Sequence, residues 1–512
     1  MSQSPVVGDS VRVNDKDGVI HCEDQELGSV DDKAGTNMYH ESEALPEFDP
    51  KVLRRLRLKI DLWTVPMIFL ISGLAFLDRA NIGNARLAGL EKDLGMQGND
   101  FNIVLTIFWV VYIVLEVPAL VACKYFGPGW FLPAMTVGYG LMCLLQAWAH
   151  NMAQMCALRV MIALFEAPVL AGCAYYYSRW YTRAELTFRL GLSSTAGPIM
   201  GATSGLAASA ILTLDHFGSL TRWRMIFAIE GMITLIIAAF LLVLFTDRPE
   251  TARWLTEEEK KIVIARIKAE RVATTEVLDG IDKAKLLRGL INPAVIAVGF
   301  IFCLTNITAQ GYSFFLPTII KSIYPNKSVV HQQLWSVPPY AVGLITNIGG
   351  SYLSWRFDRR IIVMVALLPL VILGYGIFLG TLDSQARYGA TVIIAFAIMP
   401  FQILCQSQVA ANVVSDTARS SALALNIIIG NIGGLISTWA FTASDAPHYI
   451  RGSGLNIASA CTSLLLAIGV IFWMKWDNKR RATKDPEAEL SGLSLKQVHD
   501  LDWAHPGFRW KP

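Results

Sequence analysis

The chain has 512 residues, of which 53% are hydrophobic and only 17% charged, with a formal net charge of +3. That balance excludes an ordinary soluble globular domain of this length and offers no basis for a nucleic-acid partner.

Residues 1–50 are acidic and poor in large apolar side chains, so they are expected to be disordered. Residues 51–60 are basic and abut the first apolar run, closing a cytoplasmic tail over 1–60. The N-terminus lacks the apolar core of a cleavable signal peptide, so the first run is expected to be the insertion signal and to remain in the chain. Twelve runs long enough to cross a bilayer follow, in two sets of six. The first set lies near 62–83, 101–122, 130–149, 155–177, 189–213 and 224–245. The second lies near 293–319, 334–354, 361–380, 389–413, 418–442 and 455–475. The expected organisation is an all-α membrane protein: a bundle over 61–245, a charged linker over 246–292, a bundle over 293–475 and a tail over 476–512. Within the linker, Thr256-Glu257-Glu258-Glu259 reads as a capping box opening an amphipathic helix that either tethers the two sets while letting them rock or is a solvated linker helix with no further role.

Lys and Arg gather on the side bearing the termini and the linker, which places that side in the cytosol. Asn326-Lys327-Ser328, a glycosylation sequon, then falls outside. The eight cysteines show no Cys-x-x-Cys spacing and the eight histidines lie in tails or loops, so neither a zinc site nor a cofactor is expected. The fifth and eleventh runs, at matching places in the two sets, carry Gly197-Pro198-x-x-Gly201-x-x-x-Gly205 and Gly430-Asn431-Ile432-Gly433-Gly434. Such small residues let helix backbones approach closely, and their repetition points to a transporter built from internal repeats.

Charge inside a span is costly unless it faces a cavity or a partner. Asp78 and Arg79 sit in the first run, Glu116 in the second, Arg159 and Glu166 in the fourth and Glu230 in the sixth. Glu116 and Glu230 are expected to pair with arginines that lock helices together. Asp78, Arg79 and Glu166 are read as functional: a fixed guanidinium can grip a carboxylate, and carboxylates out of water favour their neutral form and so can carry protons. Tyr112, Asn306, Gln310, Tyr312, Gln402, Gln406, Gln408 and Asn412 either line a polar cavity or bond across helices. Lys124, Asp358 and Arg360, in loops at matching places of the two sets, are candidate latches of the cytoplasmic end.

Strings in a fixed order then carry a resemblance. They include Leu77-Asp78-Arg79-Ala80-Asn81-Ile82-Gly83, Leu158-Arg159 with Phe165-Glu166-Ala167, and Trp223-Arg224-Met225-Ile226-Phe227. Phe314-Phe315-Leu316-Pro317-Thr318, Val337-Pro338-Pro339-Tyr340, Gly430 to Gly434 and Ser444-Asp445-Ala446-Pro447-His448-Tyr449 continue them. Over about residues 60–475 the chain resembles the major facilitator superfamily, in its anion:cation symporter family typified by fungal allantoate and nicotinic acid permeases. The resemblance implies two six-helix bundles and proton-coupled uptake of a small organic anion across the plasma membrane; the chain is expected to act as a monomer. It implies proton-carrying roles for Asp78 and Glu166, a substrate-binding role for Arg79, modulation of Glu166 by Arg159, and pocket positions for Tyr112 and Asn412. The tenth run departs from the family pattern, reading Gln402-Ile403-Leu404-Cys405-Gln406-Ser407-Gln408. The substrate is therefore not carried over from any relative. Gly197-Pro198 is similar to a signature of proton-coupled exporters, which keeps export open. A transport-inactive sensor is a third reading, set against the absence of any signalling domain.

Overall fold

The computed structural model describes residues 50–181, 183–272, 283–446, 448–483, 489–490 and 501–511. The tail expected to be disordered, over 1–49, lies outside the described residues. Helices follow one another without a strand among the described residues. The first set comprises α1 (Pro50–Leu87), the four-residue α2 (Leu90–Asp93), α3 (Asp100–Phe126), α4 (Pro128–Gln146), α5 (Met152–Glu166), α6 (Val169–Ser178), α7 (Arg183–Ser194), α8 (Ala196–Ile211) and α9 (Trp223–Leu244). The linker carries α10 (Glu257–Val272) and α11 (Lys283–Leu290). The second set comprises α12 (Pro293–Ile323), α13 (Val329–Leu334), α14 (Val337–Phe357), α15 (Arg360–Gly380), α16 (Ser384–Ile398), α17 (Phe401–Ala411), α18 (Asp416–Ser437) and α19 (Ile450–Ala482).

Among the described residues ten helical segments are long and apolar enough to cross a membrane. The other two expected spans are α7 with α8, which is broken, and α14, which carries Thr346, Asn347, Ser351 and Ser354. Proline explains the breaks. Runs read as continuous over 155–177, 189–213 and 389–413 divide beside Pro168, Pro198 and Pro400, because proline has no N–H for the helical ladder. Pro198 leaves the Ser194 carbonyl without its helical donor, and Asn347 of α14 donates to that oxygen at 3.5 Å. Such breaks persist at membrane depth only where neighbouring protein supplies the lost bond.

Within the first set α4 packs on α9 and α1 on α8; within the second α12 packs on α18 and α15 on α19. The two sets meet along α1 with α12, α8 with α14, and α3 with α18. Glycine makes the closest approaches possible: a Cβ on Gly83 would stand 2.4 Å from the Phe314 carbonyl oxygen. At the end opposite the linker, here the loop face, these contacts form a seal. Asn102 donates to the Thr438 carbonyl at 2.5 Å, the Thr106 and Thr438 hydroxyls lie 3.0 Å apart, and Gln333 donates to the Asn84 carbonyl at 3.1 Å.

The linker is anchored on both sets. Trp254 stacks between Trp63 at 5.4 Å and Trp180 at 5.5 Å, while Arg266 pairs with Glu185 at 2.5 Å. The expected capping box forms, with Thr256 and Glu259 each accepting the other's backbone N–H at 3.3 and 2.9 Å. Burial would raise the Glu259 carboxyl, but Lys59 and Thr256 outweigh it and hold the group below the usual carboxylate range. This contact therefore supports the helix start above about pH 4 and is lost as pH falls through the lowered folded value. On the other side, Trp503 of the C-terminal segment donates to the Arg288 carbonyl of α11 at 2.9 Å.

That C-terminal segment, 501–511, is a clasp on the second set. Asp502 accepts from the backbone N–H groups of Val414 and Ser415 at 3.2 and 2.7 Å, and the buried Trp510 donates to Asp477 at 2.7 Å. Gln408 and Asn412 both donate to the Lys511 carbonyl, at 2.7 and 3.0 Å. Trp510→Ala should detach this segment while leaving the spans folded. Limited proteolysis should then cut within 501–511 at least about tenfold faster than in the wild type, since the loss of a buried indole costs roughly 3 kcal/mol or more.

Candidate functional site

Asp78 and Arg79 are neighbours on α1, about 100° apart around the helix, so their side chains diverge. Arg159 and Glu166 are separated by about two turns of α5 and share a face. Two ion pairs join the helices. Arg79 donates through Nε to Glu166 Oε1 at 2.6 Å, and Arg159 donates through Nη1 to Asp78 Oδ2 at 3.1 Å. All four residues are buried, none more than 3% exposed. The pairing puts Arg159 on Asp78, and Arg159 also stands within electrostatic reach of Glu166, which the resemblance had it modulating. Each pair is incompletely satisfied: Arg79 Nη2, Glu166 Oε2, Asp78 Oδ1, and Arg159 Nε and Nη2 have no hydrogen-bond partner in the structure. Buried polar atoms of this kind mark a place where another partner can bind.

Aromatic rings surround the Arg79 guanidinium, with Tyr112 at 4.9 Å, Trp109 at 5.2 Å, and Phe76 and Phe108 each at 5.8 Å. Phe108, Trp109 and Tyr112 share one face of α3, and their ring faces favour a cation. Arg79 also borders a cavity of about 70 Å³ between the two helix sets. Pro198, Asn306, Gln310, Tyr340 and Gln402 line it with Arg79. The Pro198 break thus lies at the cavity wall.

The structure brings together Arg79, Glu166 and Tyr112, with Asn306 and Gln310 across the cavity. Asn306 also donates to the Gly430 carbonyl at 2.8 Å. Other candidates lie elsewhere. Tyr312 donates to the Thr391 carbonyl at 3.1 Å inside the second set. Gln406 is half-buried on α17 and is not among the cavity-lining residues. Asn412 holds the C-terminal clasp, accepting from the Lys511 N–H at 2.9 Å. Asp358 pairs with Arg360 at 2.8 Å and Lys511 at 3.4 Å, while Lys124 is exposed. Beside Lys124 it is Asp247 that secures the turn, accepting from the Gly129 N–H at 2.8 Å and from Arg179 at 3.3 Å. Glu116 and Glu230 have no arginine partner among the described residues. Glu116 accepts from Asn431 at 2.8 Å, and neither Glu230 oxygen has a partner in the structure. Sequence reasoning missed Phe76, Trp109 and Tyr340, while Gln402 was among the amides read as candidate cavity lining. The available signal was the Phe108-Trp109-x-x-Tyr112 spacing, which reads equally well as lipid-facing or core packing.

A buried guanidinium bordering a cavity between two helical bundles, in a chain of membrane-crossing helices, defines a membrane transporter. Residues 68–438 match the Major Facilitator Superfamily, and the chain belongs to that superfamily. It is 30% identical over 460 residues to the MFS-type transporter efuF of Hormonema carpetanum, covering 89% of this chain and 92% of that protein. It is 26% identical over 475 residues to the high-affinity nicotinic acid transporter of Saccharomyces cerevisiae, covering 92% of this chain and 87% of that one. The fold matches a bacterial homologue of the human lysosomal transporter Spinster in its inward-facing, unoccupied conformation, with a TM-score of 0.61, 14% identity, and coverage of 80% of this chain and 96% of that one. A D-xylose–proton symporter matches equally, with a TM-score of 0.61, 13% identity, and coverage of 80% and 97%.

Proposed function

We propose that the protein imports a small organic anion, a carboxylate of vitamin, nicotinate-like or ureide type, together with protons by alternating access. The observation that carries this reading is Arg79, caged by aromatic rings at the cavity wall and held by Glu166 through one of its nitrogens. A proton arriving on Glu166 removes the charge that holds Arg79, and the freed guanidinium takes the substrate carboxylate. Loss of that proton lets Glu166 compete again for Arg79 and expels the anion. Aromatic rings beside the cation suit a planar substrate body, and the yeast relative is a transporter of an aromatic carboxylic acid by its name. The segregation of Lys and Arg supports cytosolic termini; a carrier so oriented in the plasma membrane has its loop face outside.

The test is uptake of labelled carboxylates, nicotinate included, by yeast lacking its own carriers. Accumulation should rise at acidic external pH and collapse with a protonophore. Uptake indifferent to both, or net outward movement under the same gradient, would overturn the reading.

A further inference from the structure

Among the described residues four acids are buried in the first helix set; the buried Arg189 pairs with Asp61, and two further buried arginines, Arg79 and Arg159, stand beside the acids. Asp78 and Glu166 occupy those arginines, which leaves Glu116 and Glu230 without a basic partner among the described residues. Their positions differ. Glu230 lies on α9, which packs within the first set, whereas Glu116 stands on the seam between the sets. Along that seam α3 and α18 run antiparallel in rungs: Asn102 and Thr106 meet Thr438, Trp109 packs over Gly434, and Glu116 meets Asn431. Glu116 is the one ionisable rung.

We propose that Glu116 is a further proton-carrying residue, and that its protonation state sets whether the α3–α18 seam closes. The proposal rests on the proton-coupled reading above. A carboxylate without a cation is costly where the closed seam buries it, and a neutral carboxyl bonded to an amide is tolerated there. A proton taken from the loop face therefore permits closure, and its loss favours separation and hydration of the seam. The charged groups around Glu116 are few. Arg79 of α1, held by Glu166 of α5, acts on it electrostatically; Tyr112 is the titratable neighbour on its own helix, where Lys124 stands two turns further on and is exposed. α4 and α6 contain no charged residue, and the charges of α18 stand some three turns from Asn431.

The test uses the full chain in nanodiscs, with spin labels at Gln97→Cys and Ser444→Cys reporting the loop-face distance across pH. In the wild type the closed-to-open ratio should rise as pH falls. Glu116→Gln keeps the size and an acceptor oxygen for Asn431, and should lower the slope by one proton, about tenfold per pH unit, while favouring closure throughout. Asn431→Ala should favour the open form at every pH without changing the slope. A Glu116→Gln protein with the wild-type slope would overturn the proposal. Failure of the import reading shows separately, as wild-type uptake that ignores the proton gradient while the distance still responds to pH.

Discussion

Arg79→Lys should lower carboxylate uptake by at least about 100-fold while the protein still reaches the membrane in normal amount. Lysine keeps the charge, so Glu166 retains a cation and the buried pair is not orphaned. What is lost is the planar fork. A guanidinium can bond one carboxylate through Nε and present Nη2 to another, and its carbon lies 4.9 and 5.2 Å from the Tyr112 and Trp109 ring centres; an ammonium is a point charge with strong hydration. The loss of one charge-assisted bond and of cation–ring contact corresponds to roughly 3 kcal/mol, or two decades in affinity. Initial uptake rates with surface abundance measured in parallel check this. Uptake within threefold of the wild type would show that Arg79 holds helices together and does not grip substrate.

Asp78→Asn should reduce stability by about 3–5 kcal/mol, because it leaves Arg159 buried at 2% exposure with no counterion. Thermal unfolding in detergent should show the loss directly, as a lowered midpoint. Pairing it with Arg159→Gln removes the stranded charge and should restore most of the midpoint. The double variant then separates two roles that the single variant confounds. If Asp78 carries a transported proton, the rescued protein folds and exchanges substrate but does not concentrate it. If it concentrates substrate as the wild type does, Asp78 and Arg159 form a structural staple between α1 and α5.

Span positions were legible because lipid demands long apolar helices, and that demand leaves a mark in composition that no other environment requires. The capping box at Thr256 and Glu259 was legible for a similar reason, since both partners lie within one turn. Gly201 and Gly205 announced a close helix contact, and α14 supplies it through Tyr340 and Ser336. The cavity wall was harder. Asn306, Tyr312 and Asn412 have the same character in sequence, yet the first faces the cavity, the second bonds within the second set and the third holds the C-terminal clasp. Sequence spacing fixes the face of a helix a residue occupies, not what the neighbouring helix places there.

The sequence by itself determined the class of protein, the places of most apolar spans and the buried charges Asp78, Arg79, Glu116, Arg159, Glu166 and Glu230, because each follows from the local cost of placing a residue in hydrocarbon. Only the tertiary structure decided the pairings. Arg79 with Glu166, Arg159 with Asp78, and Glu116 with Asn431 join residues 81 to 315 positions apart. Partners at such separations are chosen by how helices rotate and cross, which depends on packing between segments and is not written within any one of them.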